Sequence, residues 1–118
     1  MIKFTIPIMV NAEYGLNDNK GRKWTKLSKL ATEVHETVYY SMLHQKVPKK
    51  LFTEPVVIQI NYNSNLDCDN HGLVTKWIID SMKGYLLKDD KKEYVKEVRQ
   101  KFWGGDGVLV EIWEDSNE

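Results

Sequence analysis

A β-strand, a polar turn and an amphipathic helix follow one another between residues 56 and 82, and this succession constrains the fold most. Residues 56–62 are mainly β-branched and apolar, which is the pattern of a buried strand. Residues 73–82 place apolar side chains at helical spacing. The turn between them contains Asp67-Cys68-Asp69-Asn70. Two carboxylates therefore stand where a predicted strand ends and a predicted helix begins.

The spacing of Asp67 and Asp69 suits a divalent cation. In an extended chain these two side chains point to the same side, and Cys68 points to the other. Two carboxylates on one side repel each other unless a cation lies between them, which favours a metal with oxygen ligands. Asp and Asn are also common in turns, and Asn70 could simply cap the next helix. From the two aspartates alone, both interpretations stay open.

The remaining elements follow from apolar periodicity and from glycine and proline positions. The predicted elements are strands at 2–9, 94–102 and 108–113, a loop at 10–24, a helix at 25–44 with Thr25 as its N-cap, and a hairpin turn at 104–107. Pro7 marks the end of the first strand or a sheet edge. Gly84 is a suitable terminator for the second helix. We therefore expect an α+β fold with a small, mixed, mostly antiparallel sheet of about four strands packed by two main helices.

Length and composition fit one globular domain spanning residues 1–118. The chain has 118 residues, of which 42% are hydrophobic and 29% charged. No apolar run approaches the ~20 residues that a membrane span needs. The single cysteine, Cys68, cannot form an internal disulfide, which fits a reducing setting. We expect a cytoplasmic protein that needs neither a membrane nor a small-molecule cofactor.

Charge is unevenly distributed although the formal net charge is zero. Residues 16–50 contain eight basic and three acidic side chains. Five aspartates fall within residues 67–90: Asp67, Asp69, Asp80, Asp89 and Asp90. This division suggests that one part holds an anionic partner and the other a cation. The alternative, a solvated helix face with scattered charges, explains the charge pattern equally well.

The long loop before the first helix combines cations with aromatic side chains. The cations are Lys20, Arg22, Lys23 and Lys26, and the aromatic residues are Tyr14 and Trp24. Such a mixture suits phosphate contacts and stacking on bases or sugars. For Trp24 we favour the simpler alternative, in which the indole packs under the helix.

Lys76 lies on the second helix within two turns of Asp69. Its ammonium group could reach back toward the carboxylates or toward a bound phosphate. The alternative is an ordinary ion pair with Asp80, four residues further on, which contributes a few tenths of a kcal/mol at a surface. Asp89 and Asp90 form a second acidic pair after the helix.

Taken in order, these motifs resemble the RusA family of Holliday junction resolvases, which is common in phages and prophages. The resemblance covers nearly the whole chain. The matching residues are Asp67-Cys68-Asp69-Asn70, Lys76, Asp80, Gly84, Asp89-Asp90 and Val95, preceded by Gly15-Leu16-Asn17, a basic loop ending in Trp24 and a long helix bearing His35. Five residues, 71–75, separate Asn70 from Lys76 where better-known members have two. Asn61, Asn63, Ser64 and Asn65 stand where some relatives carry basic residues.

The resemblance implies an activity and a set of roles. It implies a Mg²⁺-dependent endodeoxyribonuclease that resolves Holliday junctions and related branched DNA by paired symmetric nicks. It also implies a homodimer, encoded by a phage or prophage and acting in the cytoplasm of a bacterial host. Asp67, Asp69 and Asp90 would bind Mg²⁺, with Mn²⁺ as a substitute, and Asp89 would join them or orient them. Lys76 would stabilise the transition state, and Lys20, Arg22, Lys23 and Lys26 would contact the DNA backbone.

Three other functions compete with this one. An EF-hand needs Glu at its twelfth position, but counting from Asp67 gives Ile78 and counting from Asn65 gives Lys76. A transferase using an Asp-x-Asp pair would normally also have a glycine-rich phosphate loop, which this chain lacks. A non-catalytic module that binds branched DNA remains the serious alternative, because it needs the basic loop but not the carboxylates.

Overall fold

The computed structural model describes residues 1–15, 21 and 24–115. Within these residues the protein has two α-helices, four β-strands and two short 3-10 helices. They are β1 (Ile2–Ile6), a 3-10 helix at Ala12–Tyr14, α1 (Trp24–His44), β2 (Val56–Tyr62), a 3-10 helix at Cys68–His71, α2 (Gly72–Met82), β3 (Val95–Phe102) and β4 (Val108–Glu114). The predictions for Lys20, Arg22 and Lys23 lie outside the described residues.

The four strands form one mixed sheet in the order β1-β4-β2-β3. β4 is antiparallel to both β1 and β2, whereas β3 is parallel to β2. A parallel neighbour requires a crossover, and α2 provides it between β2 and β3. The predicted α+β class, with a small and mostly antiparallel sheet and two main helices, is therefore confirmed.

The core lies between one face of the sheet and the two helices. In the strands, alternate residues point into it, so that Val110 of β4 lies between Phe4 of β1 and Ile60 of β2 in register. The helix α1 contributes an apolar stripe at i, i+4 spacing, consisting of Leu30, Val34, Val38 and Met42. The two helices also pack on each other.

The predicted hairpin at 104–107 is wrong. β3 and β4 are consecutive in the chain, but β2 lies between them and pairs with β4 along its whole length, from Val56↔Glu114 to Tyr62↔Val108. The connection therefore crosses one strand instead of reversing directly into a neighbour. Gly107 completes it with φ +72° and lies against the Ile6 carbonyl, a position that only glycine occupies without strain.

Other element boundaries differ from the sequence prediction by a few residues. β1 ends at Ile6 because Pro7 follows, and the Ile8 N–H turns back to the Ile6 carbonyl at 2.8 Å. Thr25 lies inside α1, which begins at Trp24, so its predicted role as N-cap is wrong. Gly84 follows the last residues of α2 with φ +81°, which confirms it as the terminator.

In the part of the chain that the structure describes, neither helix combines the length and the apolar character that crossing a bilayer requires.

Candidate functional site

The first pair of predicted site residues, Asp67 and Asp69, lies on a compact turn at the end of β2. Asp67 precedes the 3-10 helix Cys68–His71, and the Asn70 N–H bonds to its carbonyl at 2.9 Å. The turn is therefore not extended, and the alternation that was expected to align the two carboxylates does not apply. Both side chains are exposed, and that of Asp67 does not cap the turn. Asn70 lies inside the 3-10 helix, so it is not the N-cap of α2.

His71, which no sequence motif singled out, anchors this turn from its buried side. Its side chain is buried, with 1% exposure, and its ring stacks on Tyr62 at a centroid distance of 4.3 Å. Nδ1 lies 3.1 Å from the Cys68 carbonyl, which can only accept, so Nδ1 carries the proton. Nε2 then accepts a hydrogen bond from the Ser64 hydroxyl at 2.6 Å. Both ring nitrogens are thus used to hold the segment that carries the two aspartates.

A second buried hydrogen-bond chain fixes the start of α2 against the sheet. The Thr75 hydroxyl donates to Oε1 of Gln100 on β3 at 3.1 Å. Since its only proton is used there, the Tyr62 hydroxyl donates to Thr75 at 2.5 Å. Burial raises the pKa of Tyr62, and this effect outweighs the opposing effect of the Thr75 hydrogen bond. Tyr62 therefore stays a neutral donor under the turn.

The amide side chains that precede Asp67 are mostly engaged within the protein. Asn61 is buried and donates to the Leu109 carbonyl at 3.0 Å and to Glu111 at 2.9 Å. Asn63 donates to the Gly105 carbonyl at 2.8 Å. These hydrogen bonds tie β2 to β4 and to the connection between β3 and β4.

The chain segment before the basic loop lies against the Asp67 turn. A Cβ atom on Gly15 would meet the side-chain amide nitrogen of Asn70 at 2.8 Å, so a larger residue here would require the Asn70 side chain to shift. Residue 15 immediately precedes the segment that carries Lys20, Arg22 and Lys23 in the sequence. Lys26 is exposed in the first turn of α1.

The second pair, Asp89 and Asp90, gathers around Lys83 instead of Lys76. The Lys83 ammonium lies 3.4 Å from the Asp90 carboxylate, 3.8 Å from Asp89 and 3.1 Å from Asp80. Hydrogen bonding to Asp80 is the main reason why the pKa of Lys83 is raised. The backbone N–H of Asp90 donates to the Asp89 carboxylate at 2.8 Å and lowers the pKa of Asp89. Sequence reasoning assigned Lys83, the C-cap of α2, no role.

Lys76 makes the ion pair with Asp80 that the sequence offered as its alternative role. Its Nζ lies 2.9 Å from the Asp80 carboxylate. Burial raises the pKa of Asp80, but the hydrogen bonds and charges of Lys76 and Lys83 together lower it below its ordinary value. Asp80 is therefore an ionised bridge between the two lysines.

The two acidic pairs lie at opposite ends of α2. Asp67 and Asp69 precede this helix, whereas Lys83 at its C-terminal end holds Asp89 and Asp90. Eleven helical residues span about 16 Å, at 1.5 Å per residue. Among residues 1–15, 21 and 24–115, no three acidic, His or Cys side chains lie close enough together to hold one metal ion. One chain therefore presents two separate acidic pairs.

Neither a family model nor a curated protein sequence matches this chain.

Proposed function

We propose that the protein is a Mg²⁺-dependent endodeoxyribonuclease that acts as a homodimer and resolves Holliday junctions and related branched DNA by paired symmetric nicks. The observation that carries this proposal is the Asp67 turn, where two exposed carboxylates stand on backbone held by a fully buried histidine. Rigid support of exposed, chemically reactive side chains is typical of functional sites. A turn that served only as a connection would not need it.

The chemistry of Asp67 and Asp69 fits Mg²⁺. This ion prefers carboxylate oxygens, keeps several waters and is commonly bound through one or two carboxylates together with substrate phosphates. When bound, it would polarise the scissile phosphate and lower the pKa of a water molecule. Asp67 and Asp69 would hold it, and their exposure leaves room for a DNA phosphate beside them.

The second acidic pair enters the same site through dimerisation in our proposal. Within one chain Asp90 lies at the far end of α2, so it cannot share an ion with Asp67. In a two-fold dimer, an element that runs in one direction in one protomer can lie beside its copy running in the opposite direction. The first pair of one protomer would then meet Asp89 and Asp90 of the other. Each dimer would contain two such sites, as two symmetric nicks require.

The cations have three separate tasks in this proposal. Lys26, exposed at the start of α1, contacts the DNA backbone together with Lys20, Arg22 and Lys23, which makes binding sensitive to salt. Lys83 holds the second acidic pair in place until the metal is bound. Lys76, already paired with Asp80 in the middle of α2, would stabilise negative charge on the phosphate.

The test is cleavage of a labelled four-way junction by wild-type protein, by Asp67→Asn and by Asp90→Asn. We expect paired nicks with Mg²⁺ or Mn²⁺, none with EDTA, and loss of cleavage in both variants without loss of junction binding. Glu36→Gln, which removes an exposed carboxylate on α1 outside both pairs, should cleave like the wild type. Cleavage that survives in Asp67→Asn and Asp69→Asn alike would contradict the metal site.

Mixed dimers test the shared site directly. Co-expression of Asp67→Asn with Asp90→Asn yields heterodimers in which one of the two shared sites has no substitution. We therefore expect single nicks from a mixture of two inactive variants. If each site were built from one chain, both sites of the heterodimer would carry a substitution, and the mixture would stay inactive.

A non-catalytic module that binds branched DNA is the second candidate. The observation that favours it is the Lys83 ammonium among Asp80, Asp89 and Asp90, because three carboxylates with their own counter-ion have less need of a metal. Junction binding by the wild type without any Mg²⁺- or Mn²⁺-dependent cleavage would identify this function. The setting that we propose for either function is the cytoplasm of a bacterial host, with a phage or prophage as the source of the gene.

A further inference from the structure

Trp24 is far more exposed than the other tryptophans of the chain. Its exposed fraction is 76%, whereas that of Trp77 is 7%. Trp103 is half-buried and donates from its indole nitrogen to the Gly107 carbonyl, and Trp113 lies under the Arg99 guanidinium. The prediction that Trp24 packs under the helix is therefore wrong. Trp24, the largest side chain of α1, contributes little to the core. It lies at the N-terminal end of this helix.

The surroundings of Trp24 are suited to a nucleotide. An open groove of about 520 Å³ runs from its indole along α1, with Ser28 and Thr32 on the same stripe and Lys29 at the side. Lys26 and Lys29 are exposed on the first two turns. Glu33 and Glu36 line the far end of the groove, so the charges favour a polyanion at the Trp24 end. An aromatic face flanked by cations is the combination that stacks a base and contacts its phosphates.

We infer that Trp24 stacks on an unpaired base at the branch point of DNA, and that this contact contributes selectivity for branched over duplex DNA. The inference rests on the proposed function. A fully paired duplex keeps its bases stacked inside the helix and offers no free base face to an indole. A branch point with an unstacked base does offer one. Lys26 and Lys29 contact phosphates, which are present in both forms of DNA, so they contribute affinity without this selectivity.

The experiment compares affinities for a four-way junction and for a duplex of equal length, with EDTA present to prevent cleavage. We expect Trp24→Ala to weaken junction binding about tenfold, in line with the loss of one base stack, and to change duplex binding less than about twofold. Trp24→Phe should restore most of the junction affinity because it keeps an aromatic face. The matched variant Lys26→Gln should weaken binding to both DNAs alike and reduce the salt dependence of both.

Tryptophan fluorescence supplies a second readout that a purely structural role would not change. Subtracting the emission of Trp24→Phe from that of the wild type isolates the Trp24 signal, which the junction should quench and the duplex should not. Because Trp24 is exposed, both variants should melt within a few degrees of the wild type. Equal junction affinity of Trp24→Ala and wild type would overturn the inference and leave the proposed nuclease standing. Failure of the wild type to bind any branched DNA would overturn both.

Discussion

The imidazole of His71 stacks on the phenol ring of Tyr62, with their centroids 4.3 Å apart and their planes inclined by 26°. Tyr62 is the last residue of β2, and His71 is the last residue of the 3-10 helix that carries Asp69. The stack therefore closes the eight-residue segment 63–70, which contains the first acidic pair. Phe102 at the end of β3 contacts the same imidazole edge-on at 5.6 Å. The position of the two aspartates depends on a small aromatic cluster at one end of the sheet.

Replacing His71 should destabilise the protein. His71→Ala removes a buried ring and leaves the Ser64 hydroxyl and the Cys68 carbonyl with one partner fewer, so we expect a loss of about 2–4 kcal/mol in the free energy of unfolding. His71→Phe keeps a ring of similar shape and should lose less. Chemical denaturation measures both, with His44→Ala at an exposed position as the control. A His71→Ala variant as stable as His44→Ala would show that the cluster does not support the turn.

Gly15→Ala should disturb the contact between the segment before the basic loop and the Asp67 turn. The added methyl group would meet the Asn70 side chain at 2.8 Å, so one of the two must move. We expect a loss of about 1–2 kcal/mol, as for other overpacked contacts, together with chemical-shift changes at residues 67–71. Gly72→Ala is the matched control, because nothing lies within 4 Å of its new methyl group and the residue is helical. That variant should gain up to about 1 kcal/mol; a gain in both variants would contradict the contact.

Asp80→Asn tests the bridge between Lys76 and Lys83. Two partly exposed ion pairs of this kind contribute about 0.5–1 kcal/mol together. Since the pKa of Asp80 is lowered on folding from its ordinary 3.8, this stabilisation is fully present above that value and is lost as the pH falls through the lower pKa of the folded state. The wild type should therefore be more stable than the variant at pH 7, and the difference should shrink as the pH falls below 3.8. A difference that is independent of pH would exclude ionisation of Asp80 as its cause.

Gly107→Ala should be the most damaging glycine substitution in the connection between β3 and β4. Its φ of +72° disfavours any residue with a Cβ atom, and the new methyl group would collide with the Ile6 carbonyl. We expect a loss of at least about 2 kcal/mol. Gly104→Ala, in the same connection, finds nothing within 4 Å and should change the free energy of unfolding by less than about 1 kcal/mol. Thermal denaturation of the two variants side by side decides whether β4 depends on this close approach.

The local sequence pattern was sufficient to predict most helices and strands, but not which strands pair with each other. The apolar stripe of α1 and the β-branched run of β2 are set by residues close in sequence, and both are confirmed. The sheet order depends on contacts between residues about fifty positions apart, such as Ile60 with Val110, which no local pattern encodes. Glycines between two strands usually indicate a hairpin. Here β4 instead finds more apolar partners by entering between β1 and β2.

In the candidate site, too, local sequence predicts some features, whereas others depend on contacts between distant residues. The exposure of Asp67 and Asp69 follows from their polarity, but the 3-10 helix and the burial of His71 depend on Tyr62 and Phe102, which lie on two different strands. Lys83 meets Asp90 because buried residues after α2 turn the chain back: Leu86 accepts from the Phe52 N–H at 2.8 Å, and Tyr85 donates to the Val47 carbonyl at 2.7 Å. An apolar Tyr-Leu-Leu run directly after a glycine terminator was the available signal for this return.

The position of β4 in the sheet determines when the sheet can form during synthesis of the chain. β1 and β2 are made early, yet the strand that joins them is β4, which ends at Glu114. Until β4 has emerged from the ribosome, the edges of β1 and β2 that pair with it stay without that partner. The apolar faces of β1 and β2 cannot form one core before then. The sheet can therefore form only after residue 114 has been synthesised, through contacts of large sequence separation that form slowly. A nascent chain stalled before residue 108 would expose two unpaired strand edges that are prone to aggregate. We expect chaperones that bind unfolded segments to bind such a chain.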